Sequence, residues 1–284
     1  MQNQDEIVAH LNTLRHNAHF TEAFGIKLRG RHVRRLRDGE WICDEIIDFY
    51  FGLLSVRSER GMAAGAAALP RLHVFSTQFY TLLAQTGGGA YDYERVRRWT
   101  RRLAVSILSF DLVLVPIHID LVHWALAVMD CRAKCISFWD SLRGHDANCL
   151  QVHVRVACSR RRRGRPSCLG ARGAVSCFLC IWFTNHPINP SHAPSRALLI
   201  AQNLLRYLTD EVRDKTASVP FDATEWRCEV VADAPQQLNS WDCGVFTCMF
   251  AHYLSAGRTP AFTQDDMPRF RRRMLLDICN LRVD

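Results

Sequence analysis

The chain has 284 residues, of which 48% are hydrophobic and 23% charged, and a formal net charge of +8. That length leaves ample chain for a buried core and is compatible with one large domain. No apolar run approaches the roughly 18 residues that a membrane-spanning helix needs, so no membrane association is expected.

In chain order, residues 1–20 are polar, lack the apolar core of a signal peptide and read as a short N-terminal extension. Residues 41–54 follow with Ile42, Ile46, Phe49, Tyr50 and Leu53 on one stripe, which predicts an amphipathic helix. Residues 58–70, rich in Ala and Gly, read as a surface loop or short helix. Gly87-Gly88-Gly89 sits in a turn and lacks the context of a phosphate loop. Three apolar runs, 111–117, 123–129 and 135–140, predict strands, with a polar turn at 130–134 joining the last two. If Met129 faces Cys135 across that hairpin, His123 falls opposite residue 141, beside Asp140. An imidazole and a carboxylate then share one end of a sheet, as a general base and its orienting acid require.

Residues 235–244 read Pro-Gln-Gln-Leu-Asn-Ser-Trp-Asp-Cys-Gly and lead into an apolar helical stretch over 245–254. A cysteine at a helix N-terminus lies where backbone N–H groups and the helix dipole favour the thiolate. Gln237, six residues upstream, offers an amide to an oxyanion. The order His123, Asp140, Cys243 supplies the residue types of a cysteine-protease triad. A last helix is predicted over 270–281.

The chain resembles the catalytic domain of the SUMO-specific (sentrin-specific) proteases, of the ubiquitin-like-protease family. The matching stretches run in order through 22–24, 41–50, 73–80, 93–100, 115–118, 122–124, 140–141, 237–244 and 262–274. The resemblance implies an α+β papain-like fold, a central antiparallel sheet flanked by helices, spanning 21–284. It implies Cys243 as nucleophile, His123 as base, Asp140 as orienter and Gln237 as oxyanion donor. The implied partners are SUMO and SUMO-conjugated proteins, cleaved after the C-terminal Gly-Gly of SUMO. Trp41 and Trp124 match tryptophans that roof a tunnel for that tail, and Asp44 matches a position that contacts SUMO. Asp44 equally reads as a helix N-terminal acid. The resemblance implies a monomer in the nucleus or cytoplasm, without metal or cofactor. Its rivals are the same chemistry on another ubiquitin-like modifier, a catalytically impaired SUMO-binding module, and a basic nucleic-acid binder.

Three departures stand out. Cys43 replaces a common Asn, the loop between His118 and His123 is one residue longer, and bulky Trp241 replaces a small residue.

Residues 152–202 look foreign to this pattern. They hold eight arginines, no lysine, no acid, and four of the twelve cysteines. Without them, 28 of the 36 basic residues face 28 acidic ones, so the overall charge is poor evidence for nucleic acid. Every Val codon begins with GU and a Gln codon can be CAG, so Val152 and Gln202 fit the borders of a retained intron. Joining 147–151 to 203–208 produces the stripe of an amphipathic helix. The alternative is a basic surface insertion, with Arg160 to Arg163 as a patch. The irregular spacing of Cys158, Cys168, Cys177 and Cys180 argues against zinc.

Overall fold

The computed structural model describes residues 14–63, 69–84, 90–142, 195–216 and 221–283. The Gly87-Gly88-Gly89 turn, Arg160 to Arg163 and the four cysteines between 158 and 180 lie outside the described residues.

A short hairpin, β1 (His19–Ala23) and β2 (Ile26–Arg29), leads into a single helical turn, α1 (Gly30–Val33). The long helix α2 (Asp44–Ala63) follows, then β3 (Leu72–Val74) and α3 (Gln78–Leu83). The three strands anticipated from the sequence form β4 (Leu112–Ile119), β5 (His123–Asp130) and β6 (Cys135–Trp139). Helix α4 (Arg196–Lys215), strand β7 (Arg227–Val230), helix α5 (Cys243–Leu254) and helix α6 (Met267–Asn280) complete the described elements.

The main sheet has the order β3-β4-β5-β6-β7. Its centre is the expected antiparallel meander, but both edge strands join in parallel, β3 on β4 and β7 on β6. The sheet is therefore mixed. The hairpin register also lies one step from the expected one: Asp130 faces Cys135 and Met129 faces Ile136. That slip leaves His123 and Asp140 at the same end.

Both faces of the meander are covered, which explains why its strands read as continuous apolar runs rather than alternating ones. Trp124, Leu126 and Val128 of β5 pack with α2, α5 and α6. Ala125, Ala127 and Met129 face the opposite core with α3 and α4. Burying each large apolar side chain contributes roughly 1.5–3 kcal/mol. Helix α5 lies inside the first core, and its sequence is apolar all round for that reason.

Two helices outrun their sequence signals. Helix α2 starts at Asp44 and continues to Ala63, because Ser58 is buried and its hydroxyl donates to Pro70 O and accepts from Leu72 N. Helix α4 starts at Arg196, capped by Ser195, so its first seven residues come from the segment 152–202. Leu198, Ile200 and Ala201 are buried, continuing the stripe of Leu204, Leu205, Leu208 and Val212. The helix signal over 203–208 therefore extends upstream within this chain.

Candidate active site

The start of β5, the residues after β6 and the start of α5 converge at one end of the sheet. His123 opens β5, and its Nε2 lies 2.6 Å from Oδ1 of Asp140, the first residue past β6. The same Asp140 oxygen accepts from the Leu142 backbone N–H at 2.9 Å, which fixes the carboxylate. Cys243 is the first residue of α5 and only 2% exposed.

His123 Nδ1 is buried and has no hydrogen bond of ordinary geometry. It is the nitrogen that remains for Cys243 once Nε2 is committed to Asp140. Burial pushes the His123 pKa down, but Asp140 and the neighbouring Cys243 more than offset this and carry it up to about 9. An imidazole held cationic through neutral pH thus stands beside the cysteine that opens α5.

Glycine follows Cys243 for a steric reason. A Cβ at Gly244 would stand 2.4 Å from Ile42 Cγ1, so only glycine lets the first turn of α5 press against Ile42 and Trp124.

Gln237 is buried and strapped to the residue after the acid. Its Oε1 accepts from Ser141 Oγ at 2.6 Å, and its backbone N–H donates to Ser141 O. Its Nε2 donates to Asn239 O at 2.6 Å. An amide nitrogen carries two hydrogens, so one remains for an oxyanion. Gln236 Nε2 donates to Asp140 O at 2.9 Å, which ties the loop to the acid directly.

Sequence reasoning missed the polar anchor beneath this loop. Asp242 Oδ1 accepts from Nε and Nη2 of Arg271 on α6, at 2.9 and 2.5 Å. Asp242 Oδ2 accepts from Asn239 and Gln264, both at 2.7 Å. Arg271 is also buried and donates to the carbonyls of Arg35, Arg37 and Glu40. One ion pair thus joins the turn before Cys243, α6 and the segment leading to Trp41. Asp242, Gln264 and Arg271 all lie in the matched stretches 237–244 and 262–274, but no local pattern pairs them.

The remaining anticipated residues take unequal places. Trp124 is 3% exposed and stacks on His118 at 3.8 Å, whereas Trp41 is 41% exposed. One indole is a wall and the other stands at the surface. Asp44 is the first residue of α2 and accepts from Gln78 Nε2 at 3.1 Å. It is thus a helix N-terminal acid, as one of its two readings required. The Cys43 thiol is pushed up to about 12, chiefly by burial, so it stays protonated and unreactive.

The family model for the Ulp1 protease family, C-terminal catalytic domain, matches residues 40–160 and 188–283. The chain belongs to the Ulp1 protease family. This Ulp1-family domain is 32% identical over 267 residues to a sentrin-specific protease of Caenorhabditis elegans, covering 94% of the chain and 29% of that relative. It is 32% identical over 265 residues to sentrin-specific protease 2 of Mus musculus, covering 93% and 34%. The chain therefore spans about a third of the length of the curated relatives it matches. The C-terminal Ulp1 protease domain in complex with Smt3, the yeast ortholog of SUMO, superposes with a TM-score of 0.65 at 23% identity, covering 98% of this chain and 93% of that one. The Ulp1-like SUMO protease catalytic domain of Chaetomium thermophilum superposes with a TM-score of 0.61 at 23% identity, covering 97% and 89%. These two likenesses establish the fold.

Proposed function

We propose that this Ulp1-family chain is a cysteine protease that cleaves after the C-terminal Gly-Gly of SUMO, from a lysine or from a precursor extension. The observation that carries the reading is the contact of His123 with Asp140 beside a cysteine that opens a buried helix.

His123 takes the Cys243 proton, and the thiolate attacks the terminal glycine carbonyl carbon. The oxyanion is held by the Gln237 amide and by backbone N–H groups at the start of α5. The carbon–nitrogen bond breaks as His123 returns its proton to the leaving lysine amine. Water activated by the same imidazole then hydrolyses the thioester. A tail of two glycines has no side chains, so Trp41 and Trp124 can enclose its backbone, with Asp44 available to the body of the modifier.

The expected partners are SUMO and its conjugates. The expected state is a monomer in the nucleus or cytoplasm, and no described helix is long and apolar enough to cross a membrane. We further propose that residues 152–202 are dispensable. A chain joined from Gln151 to Asn203 would carry Ala147, Asn148, Cys149 and Leu150 in place of Leu198, Leu199, Ile200 and Ala201. The polar residue would then occupy the exposed position and the apolar ones the buried positions.

The test is hydrolysis of a fluorogenic amide at the SUMO C-terminus by the full chain and by a chain lacking 152–202. Turnover by both is expected, together with slower turnover of amides of other ubiquitin-like modifiers. Turnover of another modifier alone would replace the substrate, and binding of SUMO without turnover would leave a binding module.

A further inference from the structure

We propose that the turn Asp120-Leu121-Val122 is a docking element for the protein being released, reading an apolar side chain next to the modified lysine. The inference rests on the protease reading and deepens it.

The turn joins β4 to β5, whose end residues Ile119 and His123 face each other. The Val122 N–H donates to Ile119 O at 3.0 Å, which closes it. Asp120 and Leu121 both have positive φ, 50° and 61°. Asp tolerates that conformation; leucine adopts it against a steric cost. An ion pair between Asp120 and Arg196 of α4 holds the turn from one side. The result displays two apolar side chains to water, Leu121 at 74% and Val122 at 56% exposure.

Two further observations say what these side chains meet. Leu142, two residues past Asp140, is also exposed, and the His123–Asp140 contact brings it to the same end of the sheet. Val122 directly precedes His123 and Leu142 lies two residues past Asp140, so the three belong to the segments that carry the base and its acid. Chemistry then fixes the side of the site. His123 must hand its proton to the leaving amine, so the base stands on the leaving-group side of Cys243. The residues just before it in the chain stand beside the polypeptide that bears the lysine. The Gly-Gly tail has no side chain to fill an apolar contact, so it is not the occupant. The fitting occupant is a leucine, isoleucine, valine or aromatic residue flanking the modified lysine. The turn leaves the His123–Asp140 contact in place.

The experiment uses the full chain and three SUMO substrates: a fluorogenic amide, and isopeptides to short lysine peptides with Leu or Ser beside the lysine. The wild type is expected to favour the Leu peptide about three- to tenfold in kcat/KM, the scale of one partly buried apolar contact. Leu121→Ser should reduce that preference to less than about twofold and change the fluorogenic amide by less than about twofold. Leu121→Met should restore the preference. Equal rates on both peptides in the wild type would overturn the inference. So would equal slowing of all three substrates by Leu121→Ser, which would make the turn a mere support for His123. A preference that survives Leu121→Ser would assign this surface to another occupant and also overturn it. Silence of the wild type on the fluorogenic amide would overturn the protease reading itself.

Discussion

The turn before Cys243 and the turn before His123, the nucleophile and base we propose, are built in opposite ways. The first, residues 239–242, is held from below by a buried carboxylate that accepts from Asn239, Gln264 and Arg271. The second, Asp120-Leu121-Val122, is held from one side by the Asp120–Arg196 pair and turns apolar side chains to water. On the roles proposed above, the difference separates two tasks. A reacting sulfur must keep its place within a fraction of an ångström, and buried charge-assisted hydrogen bonds do that. A surface that meets varied protein chains needs exposure instead, and backbone geometry can present it.

The largest effect that would break this comparison is loss of the sulfur itself. Cys243→Ala is expected to reduce hydrolysis of a fluorogenic SUMO amide by at least about 10⁴-fold while SUMO binding persists. Hydrolysis near the wild-type rate would remove Cys243 from the chemistry.

Asp140→Asn probes the base without touching the thiol. A drop of about 10²–10⁴-fold in kcat is expected, since the carboxylate orients the ring and stabilises its cation. The variant should also move the alkaline limb of the pH–rate profile below its wild-type position, because Asp140 helps to raise His123 to about 9. The sign for stability follows from the same raised value. Protonated His123 stabilises the fold fully below its ordinary pKa of 6.5, and that contribution is lost as pH rises through about 9. An unchanged alkaline limb in the variant would mean that another group sets it.

Arg271→Met tests the anchor beneath the nucleophile turn. Removing one partner of a buried ion pair costs about 3–5 kcal/mol, which urea unfolding would register. Activity should fall further than the unfolded fraction explains, because Asp242 immediately precedes Cys243. A stability within ~1 kcal/mol of wild type would show that the pair is not an anchor.

The smallest effect belongs to Gly244→Ala. Its Cβ would overlap Ile42 by more than any ordinary contact, so a loss of about 1–3 kcal/mol is expected from overpacking. A companion Ile42→Ala should relieve part of it. Failure of that rescue in a thermal-unfolding double-mutant cycle would place the clash elsewhere.

Much of the site was legible because its signals are local. Residues 123–129 and 135–140 have strand composition, a polar turn fixes their pairing to within one step, and that suffices to bring His123 and Asp140 together. The position of Cys243 was also legible, since an unbroken apolar helix after a polar turn defines a helix N-terminus. The buried apolar stripe of α2 was readable from its period, but its last nine residues were not. The composition from Ser58 onward left a surface loop and a short helix both open, and it is Ser58 bonding to Pro70 and Leu72 that ties the helix down.

The sequence by itself determined the helix that Cys243 opens, the strand pair that joins His123 to Asp140 and the apolar stripes, because each depends on spacing within a few residues. The tertiary structure alone decided the parallel edges of the sheet, whose pairing is a contact between distant segments. It alone joined Arg271 to Asp242 and Ser141 to Gln237, since nothing in a one-dimensional pattern records which buried donor meets which acceptor. It alone separated Trp124 as a wall from Trp41 at the surface, because two indoles with the same chemistry differ here only in what packs against them.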